Sequence, residues 1–211
     1  RNIAMDSELN NFKIAYYKDV HDESVALDLG CPNANGHLLY IAHTSDRQSW
    51  DIGSPVRCYT GDEAVHDLHL LNNVMYLGVL SPWQSLNNPL DDGYLVFEKG
   101  TGTSLTTDGS DIVDGQFAAF NDGYESKVSI AVDPDNADNV YIAYWSRNDS
   151  VRFAKSLDGG ITWEHKLIDG DIFDASRPSI SIASNGKLHI TYNALGDNIP
   201  GPSVRHAVSS D

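Results

Sequence analysis

The chain has 211 residues, 41% of them hydrophobic, which is enough apolar material for a sizeable buried core. Its 30 acidic and 14 basic residues give a net charge of −16, which argues against nucleic acids and anionic membranes as partners because phosphate contacts need clustered Lys and Arg. No apolar run approaches the length that spans a membrane, and the composition favours a folded protein that is secreted or displayed at the cell surface.

Short runs rich in β-branched and aromatic residues, separated by clusters of turn formers, follow one another along the whole chain. The predicted strands of the first two groups are Phe12–Tyr17, Ser24–Leu29, His37–Ala42 and Val56–Tyr59, then Asp67–Leu71, Val74–Val79, Tyr94–Glu98 and Ser104–Thr107. Those of the last two groups are Lys127–Val132, Val140–Trp145, Val151–Lys155 and Trp163–Ile168, then Ser179–Ala183, Leu188–Tyr192 and Ser203–Val208. No stretch of a dozen residues has the periodicity of an amphipathic helix. The sequence therefore predicts an all-β fold.

The most informative motif lies between the last two predicted strands of the third group and reads Ser156-Leu157-Asp158-Gly159-Gly160-Ile161-Thr162-Trp163. Its two glycines can take positive φ without steric cost. The Ser156 and Asp158 side chains can bond the turn's own backbone amides. Trp163 then begins the next strand with a large side chain to bury. The motif predicts a structured hairpin turn.

Weaker copies of this motif occur at regular intervals. Ala207-Val208-Ser209-Ser210-Asp211 ends 53 residues after Asp158, and Ala42-His43-Thr44-Ser45-Asp46 lies 112 residues before it, followed by Trp50 with a turn one residue shorter. The intermediate copy falls near Thr101, where glycines are present without the aspartate. The spacing predicts one domain of four repeats, roughly 6–60, 61–114, 115–170 and an incomplete 171–211. Repeated units of this kind bury their faces only against neighbours.

The motif resembles the Asp-box, or BNR repeat, of sialidase-like β-propellers. The resemblance implies a partial or small propeller of about four four-stranded blades, with Asp-box turns between the third and fourth strands. The residues that it assigns to these turns are Ser156, Asp158, Gly160, Thr162 and Trp163 in the complete copy, and Thr44, Asp46, Trp50, Ser209 and Asp211 in the partial copies. In the family these turns lie far from the central pocket, so they are not interpreted as catalytic.

The fourth repeat stops before an outer strand would be expected, which leaves two explanations open. The N-terminal segment Arg1–Asn10, which contains Ile3-Ala4-Met5, could supply that strand and close the ring, because closure removes an exposed sheet edge. Alternatively, the chain is a piece of a longer propeller, and a further segment or another chain completes the ring.

Catalytic residues are less clearly marked than the turns. The resemblance implies three arginines that hold a substrate carboxylate, a tyrosine nucleophile with a glutamate, and an aspartate acid/base. None of the seven arginines lies in the family's R-I-P motif, and Arg152 and Arg205 occupy equivalent third-strand positions. The remaining candidates precede predicted blades: Asp62 before the second, Tyr124 and Glu125 before the third, and Asp174 and Arg177 before the fourth. Ordinary polar connectors are the alternative interpretation.

Two functions are compatible with these patterns. The first is an extracellular propeller module without a catalytic set, whose loops bind glycans or proteins, with Tyr124 as a stacking platform and Arg177 as a ligand contact. The second is a sialidase-like glycoside hydrolase, or a fragment of one, that acts on terminal sugars. Neither requires a cofactor.

Metal and disulfide sites are open questions in the sequence. Asp133-Pro134-Asp135-Asn136-Ala137-Asp138 offers several oxygen ligands in one loop and could bind Ca²⁺, but it lacks the glycine and the distal glutamate of an EF-hand, so an ordinary turn is the preferred interpretation. The eight histidines lack zinc-site spacing. Cys31 and Cys58 are the only cysteines, and they could form a disulfide or remain free thiols.

Overall fold

The computed structural model describes residues 2–6, 11–20, 36–44, 46, 48–52, 57–60, 64–72, 74–82, 93–101, 104–105, 112–114, 128–146, 150–169, 173–196 and 199–210. Regular structure in these residues consists of 17 β-strands and no helix. The prediction of an all-β fold is therefore confirmed. The described part of the chain accordingly contains no helix long and apolar enough to cross a membrane.

Four antiparallel sheets follow one another along the chain, and we number them one to four. Sheet one contains β1 (Asn2–Asp6), β2 (Asn11–Val20), β3 (Gly36–Thr44), β4 (Asp51–Ile52) and β5 (Arg57–Thr60). Sheet two contains β6 (Ala64–Leu71), β7 (Val74–Pro82), β8 (Gly93–Thr101), β9 (Ser104–Leu105) and β10 (Ile112–Asp114). Sheet three contains β11 (Val128–Val132), β12 (Val140–Ser146), β13 (Ser150–Ser156) and β14 (Glu164–Asp169). Sheet four contains β15 (Phe173–Ile182), β16 (Leu188–Gly196) and β17 (Ile199–Val208).

The fourth strand position is divided in sheets one and two. Both β4 and β5 pair with β3, and both β9 and β10 pair with β8. Sheet three has one continuous strand, β14, in the same position. The first three sheets therefore share a plan in which consecutive strands lie side by side.

The N-terminal segment belongs to sheet one. β1 pairs antiparallel with β2, from Asn2 opposite Ala15 to Asp6 opposite Asn11. Of the two explanations for the incomplete fourth repeat, the one in which this segment supplies its outer strand is therefore wrong. A local hairpin closes a much shorter loop than a pairing between the two ends of the chain, so it loses less entropy. The predicted strand Ser24–Leu29 lies outside the described residues.

The sheets pack face to face in sequence order. β1 contacts β6, β6 contacts β11, and β11 contacts β15, so the first strands of successive sheets adjoin one another. Buried apolar clusters fill the three interfaces; their members include Ile41 and Met75 between sheets one and two, Phe97 and Tyr144 between sheets two and three, and Ala143 and Ile180 between sheets three and four. This stack of antiparallel sheets, joined through their first strands, is the arrangement of a partial β-propeller.

One glycine marks how closely sheets two and three approach each other. A Cβ atom on Gly78, in β7, would lie 2.7 Å from the Val128 side chain at the start of β11. Glycine within a strand often marks such a close approach of another element. The contact fixes the spacing of the two sheets near their first strands.

Candidate functional site

A hydrogen-bonded turn, residues 156–163, joins β13 to β14 and is called the third-sheet turn below. The buried Ser156 hydroxyl donates to the Asp158 carboxylate (2.7 Å) and accepts from the Gly160 amide (2.8 Å). Asp158 also accepts from the Ile161 amide, the Thr162 amide and the Thr162 hydroxyl, at 3.1, 2.9 and 2.5 Å. These bonds, those from Thr162 above all, lower the pKa of Asp158 to about 2. The carboxylate organises the turn, so it is not poised for proton transfer.

The third-sheet turn is anchored on sheet two. The Lys99 ammonium donates to the Gly159 carbonyl (3.0 Å), and the Trp163 ring meets Phe97 edge-on with centroids 5.4 Å apart. The Trp163 indole N–H also donates to the Gly160 carbonyl (3.1 Å). Gly160 has φ of 100°, and a Cβ atom there would lie 2.2 Å from the Phe97 ring. Only glycine satisfies both the backbone conformation and this contact.

A similar turn follows β3 in sheet one. Asp46 accepts from the Thr44 hydroxyl, the Gln48 and Ser49 amides and the Ser49 hydroxyl, at distances of 2.7 to 2.9 Å. These bonds, led by the two amides, lower the pKa of Asp46. The pattern matches the third-sheet turn, except that the last donor residue, Ser49, follows Asp46 by three positions, whereas Thr162 follows Asp158 by four. Trp50 is 41% exposed, whereas its counterpart Trp163 is partly buried and packs against the core cluster of sheets two and three.

Sheet four carries only part of this arrangement in the described residues. Ser209 exchanges bonds with Leu188, because its hydroxyl accepts from the Leu188 amide and its own amide donates to the Leu188 carbonyl, both at 3.0 Å. Asp211 lies outside the described residues.

The predicted catalytic and ligand-binding candidates are only partly visible. Asp62, Tyr124 and Glu125 lie outside the described residues. Asp174 and Arg177 lie within β15, so the prediction that they precede the first strand of the fourth repeat is wrong, because that strand begins six residues earlier than predicted. Arg177, also in β15, is exposed and has φ of 52°. The register of β15 against β16 shifts on both sides of Ser176, which is the signature of bulged pairing. A left-handed conformation is uncommon for a residue other than glycine, and such positions concentrate at functional sites.

Sequence reasoning missed a partly buried carboxylate on the first strand of sheet two. Asp67 accepts from the Leu68 amide (2.9 Å), the Ile130 amide of sheet three (2.8 Å) and the Ser129 hydroxyl. Burial raises the pKa of Asp67 despite these donors. The Ser129 hydroxyl in turn accepts from the Ile180 amide of sheet four (3.2 Å). These bonds tie the first strands of three successive sheets together.

His69 follows Asp67 by two residues in β6, so strand alternation places both side chains on the same face. Its ring meets the buried Tyr76 ring edge-on, with centroids 6.5 Å apart. Burial lowers the pKa of His69. An acidic residue two positions before a histidine, in a strand whose other residues apart from His66 are apolar, is the only signal in the sequence that could have identified this pair.

A second polar cluster bridges sheets three and four. Asp169, the last residue of β14, accepts from the Tyr192 hydroxyl (2.9 Å) and forms an ion pair with Arg205. Tyr192 and Arg205 are opposite each other in β16 and β17. Burial first, and then the Asp169 carboxylate, raise the pKa of Tyr192 to about 12. Arg152 likewise lies opposite a tyrosine in sheet three, so the two arginines occupy corresponding positions.

A cleft of about 490 Å³ lies between the outer parts of sheets three and four. The parallel rings of Tyr141 and Phe153, with centroids 6.2 Å apart, line one wall. Lys155 and Glu164 also line it and form an ion pair of 3.0 Å. Its lining is about equally apolar and polar, with Leu188 and Ile190 beside Lys166 and Ser209.

The predicted calcium loop is held by hydrogen bonds within the loop and by one from the third-sheet turn. Asp133 accepts from the Asp135 amide (2.9 Å) and the Asn139 side-chain amide (3.1 Å), and the Asp138 carbonyl accepts from the Gly159 amide. The described ranges hold no group of three or more His, Cys, Asp or Glu residues arranged for a metal ion. Calcium binding stays a prediction.

The predicted disulfide also stays untested. Cys58 lies in β5, opposite Leu38 of β3. Cys31 lies outside the described residues.

No protein-family model matches the chain, and no curated protein matches it in sequence. Solved structures do share its fold. The alpha-L-arabinofuranosidase CtGH43 from Clostridium thermocellum is 12% identical over 99% of this chain, with a TM-score of 0.53. The GH32 beta-fructofuranosidase BmSUC1 of Bombyx mori is 12% identical over 99% (TM-score 0.51), and the Hadza microbial sialidase Hz136 is 9% identical over 98% (TM-score 0.52). The fold is that of a partial β-propeller.

The chain spans 68% of the length of the arabinofuranosidase, 45% of the fructofuranosidase and 42% of the sialidase. Propellers host many unrelated activities. At this identity the likeness establishes the fold of the chain, and its function must be argued from its own residues.

Proposed function

We propose that this chain is an extracellular Asp-box β-propeller domain of about four blades, each sheet being one blade, that binds carbohydrate through loops at the starts of the blades. The segments that precede the first strands of sheets two, three and four, residues 61–63, 115–127 and 170–172, are called the leading segments below. They contain three of the candidate catalytic or ligand-binding residues predicted from the sequence, Asp62, Tyr124 and Glu125.

The turn chemistry supports the Asp-box part of this proposal. In sheets one and three an aspartate carboxylate accepts from a hydroxyl two residues earlier, from two following amides and from a following hydroxyl. The same pattern in two separate sheets requires four matched donors around one side chain, which supports a shared turn motif.

Arg177 is the observation that carries the binding proposal. It is exposed, lies midway along β15, the first strand of sheet four, and adopts a backbone conformation that the surrounding bulges must hold. A guanidinium binds carboxylates in a planar, bidentate manner and donates to sugar hydroxyls. Tyr124 in a leading segment would offer a ring for stacking against a sugar face. Glycans with an acidic sugar at their end are therefore the preferred ligand class.

A glycan array tests this proposal. The wild-type protein should bind a subset of glycans, and Arg177→Ala and Tyr124→Ala should lose that binding. Lys187→Ala is the matched control, because Lys187 is an exposed cation in the turn at the far end of β15 and β16. Absence of binding by the wild type, or equal binding by all variants, would reject the proposal.

A glycoside hydrolase is the second candidate function, and the shared fold with an arabinofuranosidase, a fructofuranosidase and a sialidase favours it. Glu125 with Asp62 or Asp174 would then supply the two carboxyl groups that such hydrolysis uses. Release of a fluorophore from an exo-glycoside that disappears in Glu125→Gln, while Asp135→Asn retains it, would establish this activity. A panel of exo-glycosides without turnover would exclude it for those sugars.

A further inference from the structure

Two histidines meet on the exposed face of sheet four. His189 lies in β16 and His206 in β17, where Val208 is opposite His189 and Thr191 is opposite His206. The histidines are therefore diagonal neighbours across the strand pair, within reach of each other on one face. The intervening Ile190 is buried against sheet three, so the histidine face points away from that packing.

The two rings are joined through nitrogen atoms. His189 Nδ1 and His206 Nε2 are 2.9 Å apart, the planes differ by only 14°, and the centroids are 5.1 Å apart. Since the nitrogens are much closer than the ring centres, the rings meet edge to edge and do not lie face to face. One nitrogen must donate its N–H and the other must accept. A single proton thus occupies the space between two imidazole nitrogens.

We propose that His189 and His206 bind a divalent transition-metal ion of the Zn²⁺, Ni²⁺ and Cu²⁺ class through these two nitrogens, while the shared proton moves to the outer nitrogen of the ring that carries it. Imidazole is a preferred ligand of these ions. With metal–nitrogen bonds of about 2.0–2.1 Å, two nitrogens on adjacent corners of the coordination sphere lie roughly 3 Å apart. The observed separation of 2.9 Å suits this arrangement, and each ring must turn so that its nitrogen lone pair points at the ion and no longer at the partner nitrogen.

The surroundings of the pair suit a solvent-open site with two protein ligands. His206 is exposed and His189 is partly exposed, so water can complete the coordination sphere. Ser181, in β15, is opposite His189, and Thr191, in β16, is opposite His206. Both residues are exposed, and their hydroxyls can accept hydrogen bonds from metal-bound water. Among the candidate ions Cu²⁺ should bind most tightly, because it has the highest affinity for nitrogen sites of this kind.

This site is separate from the proposed carbohydrate function. It uses neither Arg177 nor the leading segments, and its ligands come from the last two strands of sheet four. Loss of metal binding would therefore leave glycan binding intact, and failure of either proposal can be recognised independently.

Calorimetric titration with CuCl₂ and with NiCl₂ tests the proposal. The wild type should show one site, and His189→Ala and His206→Ala should each lower the affinity at least ~10-fold, since even partners outside the first coordination sphere contribute about that much. His165→Ala is the matched control, because His165 is exposed on sheet three and bonds the Tyr144 hydroxyl. It should bind like the wild type, and CaCl₂, which prefers oxygen ligands, should not bind at this site.

Circular dichroism and thermal unfolding without metal establish that each variant is folded. Unchanged Cu²⁺ and Ni²⁺ affinity in both His189→Ala and His206→Ala would overturn the proposal. An equal loss in His165→Ala would also overturn it, because the binding would then depend on histidine content and not on this pair. No measurable binding by the wild type would overturn it as well.

Discussion

The Asp67 carboxylate in sheet two accepts a 2.8 Å hydrogen bond from the Ile130 backbone amide in sheet three. It is a bond from a backbone amide to a side chain, and it joins the first strands of two neighbouring sheets. The Ser129 hydroxyl extends the connection to the Ile180 amide of sheet four. Polar bonds as well as apolar packing therefore set the relative position of these sheets.

Replacing Asp67 with alanine should lower the free energy of unfolding by about 1–3 kcal/mol, because the Leu68 and Ile130 amides lose their acceptor. Urea denaturation followed by tryptophan fluorescence measures this change. Asp135→Ala, at an exposed turn position, is the control and should change stability by less than about 0.5 kcal/mol. Equal effects in the two variants would show that Asp67 does not hold the sheets together.

The ionisation of Asp67 should make stability depend on pH with a defined sign. Its pKa is raised in the folded protein from the ordinary value of 3.8, so the folded state holds this proton more tightly than the unfolded state. The stabilisation is complete below 3.8 and is lost as the pH rises through the folded-state pKa. The difference in unfolding free energy between wild type and Asp67→Asn should accordingly fall as pH increases across this window. A difference that stays constant with pH would contradict the assignment.

Two glycine substitutions separate backbone strain from steric contact. Gly160 and Gly186 both have positive φ, but a Cβ on Gly160 would collide with Phe97, whereas no atom lies within 4 Å of a Cβ on Gly186. Gly186→Ala should cost about 1–2 kcal/mol from backbone strain alone. Gly160→Ala should cost a further ~1–3 kcal/mol for the overpacking. Chemical denaturation of both variants gives the comparison, and similar losses would show that the Phe97 contact is unimportant.

The cluster at the interface of sheets three and four should behave as a coupled unit. Tyr192 and Arg205 both contact Asp169, so Tyr192→Phe and Arg205→Met should be non-additive, with an interaction energy of about 0.5–3 kcal/mol in a double-mutant cycle. Tyr141→Phe in combination with Arg205→Met serves as the control pair and should be additive. Additivity in both cycles would mean that the shared carboxylate does not couple the two side chains.

Local features of the chain could be predicted well from sequence. The four strands of sheet three lie within two residues of their predicted limits, because β-branched runs and dense turn clusters are encoded by neighbouring residues. The pairing of Asn2–Asp6 with β2 could not be predicted in the same way. A five-residue strand with polar residues at both ends carries no information about which strand it will pair with.

The polar contacts between sheets could not be predicted. Asp67 and Ile130 are 63 residues apart, and His189 meets His206 only because of the register of β16 and β17. Such contacts follow from the packing of whole sheets, which local propensity does not specify. The leading-segment candidates Asp62, Tyr124 and Glu125 stay predictions.

A crystal structure with an array-selected glycan bound tests the proposed binding site. The sugar should lie beside the first strand of sheet four and its leading segment, with its carboxylate or hydroxyl groups within hydrogen-bonding distance of the Arg177 guanidinium. A glycan bound instead between sheets three and four, against Tyr141 and Phe153, would contradict it.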